Sequence, residues 1–219
     1  MTVRRRMAPG VRSAAAIALA ALTLVGCGAE DGSVEKANDE LRSTSFHSSG
    51  TTTAFNDGTQ EAWWDPDEGF RLKASWTGGS GEMFCKDGKT YTHATLLAKG
   101  LKEKGQSITV PDELAAVFVT SETDGGCETY FQIPKAAEHA PEEDRTSQGK
   151  LTRAFSVSVG TARDTYYIES DTSRLVQLVS GRNGVFSTTE YDSFGEKFSI
   201  TLPSDADTMS MDEFRRQAT

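Results

Sequence analysis

Residues 70–76 read Phe-Arg-Leu-Lys-Ala-Ser-Trp, FRLKASW. Phe70, Leu72, Ala74 and Trp76 share one parity; Arg71, Lys73 and Ser75 share the other. Successive side chains of a strand point to opposite faces, so this alternation describes a strand with one wet and one buried face. An antiparallel sheet tolerates such half-exposure, whereas an all-parallel sheet is covered on both sides.

Reading outward from this strand, the same signature recurs between turn signals. Toward the N-terminus stand TQEAWW (59–64), bounded by the turn Asp65-Pro66-Asp67-Glu68-Gly69, and SFHSSGTTTAF (45–55), bounded by Asn56-Asp57-Gly58. Trp63 and Trp64 point to opposite faces, so at most one lines the interior. Toward the C-terminus, a glycine-rich turn leads to EMFCK (82–86), the hairpin turn Asp87-Gly88, and TYTH (90–93). These make a meander of about five strands.

Two helical stretches interrupt it. Thr95 to Lys104 places Leu96, Leu97 and Leu101 on one stripe, and Pro111 to Val119 opens with a first-turn proline and two acids before Leu114, Val117 and Phe118. The polar segment Pro134 to Gly149 reads as an exposed loop. Strands then resume as LTRAFSVSV (151–159), DTYYIES (164–170), RLVQLVS (174–180), VFSTTEY (185–191) and KFSITLP (197–203), separated by Asp171-Thr172-Ser173 and Arg182-Asn183-Gly184. Before the first strand, a short amphipathic helix starts at Ser33 and carries Val34, Ala37 and Leu41 on one face; after the last, Ser210-Met211-Asp212-Glu213 offers a capping box for one short final helix. A sheet of nine or ten strands interrupted once by helices curls, with the helices packed inside. The fold class is α+β: a curled antiparallel half-barrel with covering or plugging helices.

The first residues have a separate logic. Arg4, Arg5, Arg6 and Arg12 precede an apolar run from Ala14 to Val25 that is too short to span a bilayer, the pattern of a signal peptide. Its end, Leu24-Val25-Gly26-Cys27, resembles the lipobox of bacterial lipoproteins, which implies a diacylglycerol and palmitate anchor on Cys27 and cleavage just before it. The chain then divides into a signal peptide (1–26), a lipidated tether (27–32), the half-barrel domain (33–203) and a polar C-terminal tail (204–219). A tether this short reaches about 15 to 20 Å. The expected location is the outer face of the cytoplasmic membrane, with the Sec and Tat routes both open.

The chain carries a net charge of −9, and loss of the signal peptide removes four arginines and no acid. Such a domain repels phosphate-rich surfaces, which argues against nucleic acid as a partner and against a polybasic membrane contact. Once Cys27 is lipidated, Cys85 and Cys127 remain as an even pair in an exported protein, and a disulfide is their simplest fate. Closing the long loop between them contributes on the order of 4 kcal/mol in the chain-entropy model. A reactive thiol pair or half of a metal site is the alternative, but it lacks neighbouring ligands at the usual spacing.

Catalytic chemistry is thin. The three histidines, His47, His93 and His139, form no HExxH; there is no Gly-x-Ser-x-Gly elbow and no phosphate-cradling glycine loop. Ser33-Val34-Glu35-Lys36 and Ser147-Gln148-Gly149-Lys150 match Ser-x-x-Lys without its companion motifs. The acidic turn at 65–69 lacks the later glutamate of a calcium loop. The reading is a monomeric non-enzyme with no cofactor and no metal.

SFHSSGT, MFCKDGKTY, YYIESDTSRLVQL and above all YDSFGEKFSITLP together resemble the LolA/LolB-like lipoprotein carrier superfamily, and among anchored members the actinobacterial LppX/LprG lipoproteins. The resemblance spans about Ser33 to Pro203. It implies a half-barrel that holds the acyl chains of a lipid or other amphiphile between its concave face and the helices, lined by Phe70, Leu72, Trp76, Leu97, Leu101, Leu114, Val117, Phe118, Phe155, Val157, Val159 and Ile168. The same side chains also suit a filled core, in a sensory or interaction lipoprotein whose partner is an envelope protein. One departure bears on this choice: cysteines in the fourth strand and after the second helix, if joined, staple sheet and helices and restrict opening.

Overall fold

The computed structural model describes residues 32–55 and 58–218. Cys27, the signal peptide and the tether before Gly32 lie outside the described residues, as do Asn56 and Asp57 of the first expected turn.

Helix α1 (Ser33–Ser43) leads into strands β1 (Phe46–Thr52), β2 (Gly58–Asp65), β3 (Gly69–Trp76), β4 (Gly79–Lys86) and β5 (Lys89–His93), then α2 (Ala94–Glu103). Strand β6 (Phe118–Glu122) follows, with the short β7 (Glu138–His139) and β8 (Arg145–Ser147) before the long hairpins β9 (Lys150–Val159), β10 (Ala162–Glu169), β11 (Leu175–Arg182) and β12 (Val185–Asp192). The chain ends with β13 (Thr208–Ser210) and α3 (Met211–Gln217). All these strands belong to one curled, unclosed sheet of order β13-β6-β5-β4-β3-β2-β1-β12-β11-β10-β9-β7, with β8 also paired to β9. Among the described residues only β13 runs parallel to its neighbour, β6. The expected α+β half-barrel is the fold observed.

The expected parity holds across strands. Phe46 pairs with Trp64, Trp64 with Phe70 and Phe70 with Cys85, so one face of four strands presents a continuous apolar row. Ala37 and Leu41 of α1 pack on that face with Phe131, Ile133 and Ala137, which belong to the segment after the 3-10 turn Cys127–Tyr130. Phe131 is the centre of this packing: its ring centroid lies 4.9 Å from Trp64, 5.3 Å from Phe46 and 5.8 Å from Phe70. Two bonds hold the strap in place. Cys85 and Cys127 form a disulfide with Cα atoms 5.6 Å apart. Asn38 brackets Ile133, its Nδ2 donating to the Ile133 carbonyl at 2.9 Å and its Oδ1 accepting from the Ile133 amide at 2.7 Å. A buried asparagine thereby satisfies backbone groups that have no strand neighbour.

Two glycines permit close approach. A Cβ on Gly81 would lie 2.7 Å from Leu96 Cβ, so α2 sits directly on β4; one on Gly50 would lie 2.0 Å from the Thr188 carbonyl oxygen, where β1 and β12 crowd in the curl.

Three expectations need correction. Residues 111–119 form only the 3-10 turn Asp112–Leu114 before becoming β6, which pairs from His93↔Phe118 to Lys89↔Glu122. A free sheet edge beside β5 outweighs the local helical signal of the proline and acids. Residues 197–203 form no strand, because both flanks of β12 are taken by β1 and β11. That segment instead crosses the sheet end, where the Phe198 amide donates to Asp65 Oδ2 at 3.4 Å and Ile200 is buried. The expected loop 134–149 contains β7, β8 and the 3-10 turn Pro141–Glu143. The last helix does start at Ser210, whose hydroxyl accepts from the Glu213 amide at 3.2 Å, and the segment 208–217 is docked through buried Phe214.

Phe131→Ala removes the ring that three strands pack against, in a site pinned on both sides and unable to collapse. It should cost about 3 to 5 kcal/mol in urea unfolding; a loss under about 1 kcal/mol would show that the strap is not part of the core.

Candidate binding surfaces

The proposed lining residues separate into five environments. Phe70, Phe155 and Ile168 belong to the main core, with Leu72 and Val157 partly buried against it. Leu97, Leu114 and Val117 gather with Val119 and Phe214 in a second cluster beneath α2 and α3. Leu101 borders a cleft beside that cluster. Phe118 faces the opposite side of the sheet, its ring 5.7 Å from Phe84 and 5.2 Å from His93. Trp76 packs at a tilt against Phe55 at the sheet end, ring centroids 5.3 Å apart, and Val159 is 76% exposed. Neither of the two depressions described below unites the set. The residues that fill the curl, Phe131 and Ile133, lie in a stretch without strand or helix periodicity; the one sequence signal pointing to them is the cysteine pair that tethers it.

Two depressions are open. A cleft of about 210 Å³ between α2 and α3 is lined by Leu97, Leu101, Ile108, Met211, Phe214 and Ala218, with Gln106 and Arg215 also bordering it. A larger and shallower groove of about 790 Å³ crosses the solvent face of β12, β1, β2 and β3. Its walls come from two cross-strand rows, Thr51–Thr59–Ser75 and Ser49–Glu61–Lys73, extended by Thr188 and Glu190. Beside it His47 sits between two carboxylates, Nδ1 2.9 Å from Asp192 and Nε2 3.6 Å from Glu61. This groove offers hydroxyls and both signs of charge, and suits a polar ligand.

Elsewhere the solvent face is internally satisfied. Arg71 bonds Glu82 through two nitrogens and lies 5.2 Å from the Trp63 ring centre. On the inner face, Asp164 Oδ2 accepts from Arg182 at 2.8 Å while Oδ1 is buried without a hydrogen-bond partner. That hydrogen bond raises the Arg182 pKa. His93 is pushed down by burial, with Glu82 opposing the shift. Burial raises Tyr191, and burial followed by the negative charge of Asp164 raises Tyr166. Among the described residues no group of three His, Cys, Asp or Glu side chains is placed to hold a metal ion, and no helix is long and apolar enough to cross a membrane.

No protein-family model matches the chain, and no curated relative does. Solved structures resemble the chain at low identity and with TM-scores under 0.5. The lipoprotein LppX of Mycobacterium tuberculosis is 9% identical with a TM-score of 0.46, over 78% of this chain and 97% of that one. LprF from Mycobacterium bovis is 11% identical with a TM-score of 0.44, over 78% and 95%. The MucA/MucB complex of Pseudomonas aeruginosa matches at 14% identity and a TM-score of 0.43, over 80% of this chain and 59% of that one.

The buried tyrosines set an alkaline limit. Their folded pKa values lie above the unfolded value of about 10, so the stability tied to the neutral phenols is complete below pH 10 and is lost as pH rises toward the folded values. Unfolding free energy should be flat from about pH 8 to about 9.5 and then fall by up to about 1.4 kcal/mol per pH unit for each tyrosine. Tyr191→Phe should reduce that slope in urea titrations; an unchanged slope would show that Tyr191 does not contribute to it.

Proposed function

We propose that this chain is a lipid-anchored, non-catalytic protein of the bacterial cell envelope that engages a partner through its outer surfaces, its half-barrel interior serving as a permanent core. The observation that carries this reading is the plug: Phe131 packed against Phe46, Trp64 and Phe70, on a strap bound to the sheet by Cys85–Cys127 and to α1 by Asn38. Releasing that volume for a lipid requires withdrawing a buried aromatic from a covalently tied segment. The anchor is read from the lipobox at Cys27, the location from the same signal, and the absence of catalysis from missing motifs.

A second reading, binding of an amphiphile, is favoured by the apolar cleft between α2 and α3, which Leu97 and Leu101 line. Its 210 Å³ is below the range of about 300 to 1,000 Å³ typical of small-molecule sites. It suits the end of one acyl chain rather than a whole lipid.

Native mass spectrometry of the chain from Gly28, purified without detergent from an expressing bacterium, separates the two. The expected result is the bare protein mass and no uptake of an apolar fluorescent probe. A defined adduct that extracts as an amphiphile, and that is lost in Leu97→Asp, would replace the first reading with the second. The anchor has its own check: Cys27→Ser in the full chain should move the protein from the membrane to the soluble fraction, and continued membrane retention with an unmodified Cys27 in the wild type would remove it.

A further inference from the structure

The hairpins β9–β10 and β11–β12 end side by side. Val159 pairs with Ala162, Ala162 with Arg182 and Arg182 with Val185, so the two tips form one row across four strands. Thr161 Oγ1 donates to Asn183 Oδ1 at 2.8 Å and ties tip to tip. Both turns are short and rigid: Gly160 has φ 61°, and Asn183 and Gly184 have φ 51° and 81°, the left-handed pair of a tight hairpin.

These stiff tips expose apolar side chains. Val159 is 76%, Phe186 73% and Val185 58% exposed, three of the five large hydrophobic residues most exposed among the described residues. Phe186 lies across Gly181 of the neighbouring strand, where a Cβ would come within 3.0 Å of its ring, and its outer surface stays exposed. Isolated exposed hydrophobics need no explanation, but three at the ends of two adjoining hairpins do: Val159 and Val185 stand at the two ends of the tip row on one face, and Phe186 is on the other face of β12.

Charge separates the candidate occupants. The whole chain has a net charge of −9, yet neither 158–163 nor 180–187 contains an acidic residue, and the ionic groups there are Arg163 and Arg182. These pair one row back with Glu143 and Asp164. The tips therefore present an apolar edge with guanidinium groups beneath it and no uncompensated negative charge. Repulsion between the acidic remainder and a phosphate surface is screened beyond about 8 Å at physiological salt. A convex apolar tip backed by arginines suits an interfacial layer, where apolar side chains enter the acyl boundary and cations remain among the headgroups.

We propose that the paired β9–β10 and β11–β12 tips dip into the headgroup layer of a phospholipid bilayer through Val159, Val185 and Phe186. The presence of a bilayer within reach rests on the anchored-lipoprotein reading; the contact itself does not need the anchor. It orients the domain on its membrane.

The test is co-sedimentation of the unlipidated chain from Gly28, whose folded part, residues 32–218, has its own core, with vesicles of phosphatidylglycerol and phosphatidylcholine. Wild type is expected to partition onto them, and V159S/V185S/F186S to lose about ten-fold or more of that partitioning with an unchanged melting temperature. F186W is expected to retain it. Equal sedimentation of wild type and triple variant, or no sedimentation of wild type, overturns the proposal. So does a lipid-free dimer in ultracentrifugation that the triple variant abolishes, which assigns the patch to a second copy. Failure of the anchor is read separately, by Cys27→Ser fractionation.

Discussion

A wide sheet that curls without closing leaves an apolar concavity, and the way Phe131 fills it governs the organisation of this molecule. The ring meets three consecutive strands at Phe46, Trp64 and Phe70. It stands on a segment without regular secondary structure, which would be a poor plug if left to itself. The Cys85–Cys127 bond and the bidentate grip of Asn38 on Ile133 remove that freedom at both ends. Such constraint stabilises chiefly by reducing what the unfolded chain can explore, and it holds the aromatic cluster in one arrangement.

With the middle filled, the molecule acts at its margins. The solvent face carries ladders of threonine, serine and paired charges, and Arg71 lies over its Trp63 and Phe84 rings. The helical side ends in the small cleft of α2 and α3, and the β9–β12 end in two rigid apolar tips. These surfaces differ in chemistry, although β12 carries both Thr188 and Glu190 of the groove and Val185 and Phe186 of a tip. A domain built this way can sit on a membrane by one edge while presenting another face to solvent.

Most of the sheet is legible in the sequence because the signal that builds each strand is local. Alternation in FRLKASW, the Asp87-Gly88 and Asn183-Gly184 turns, and the parity of Phe155 and Val157 each depend on a few neighbouring residues. The helix α2 and the Ser210 cap are legible for the same reason. The disulfide was open to inference because Cys85 and Cys127, read as an even pair in an exported chain, leave few alternatives. What failed was the assignment of elements whose state depends on vacancies elsewhere. Residues 118–122 are a strand because β5 offers an edge, and 197–203 are not because β12 has none to give.

Short stretches of sequence are enough to specify the order of most strands and the face of each that is apolar, since each of these is a property of neighbouring residues. What occupies the curl is settled by tertiary packing alone. Phe131 and Ile133 carry no periodicity that marks them as core, and the twelve residues assigned to one pocket are distributed over two clusters, a cleft, the outer face and the sheet ends. Whether an apolar side chain lines a cavity or fills one depends on contacts between segments far apart in the chain, such as the 95 residues separating Asn38 from Ile133. Local pattern sets which way a side chain points; packing across that distance sets what it meets.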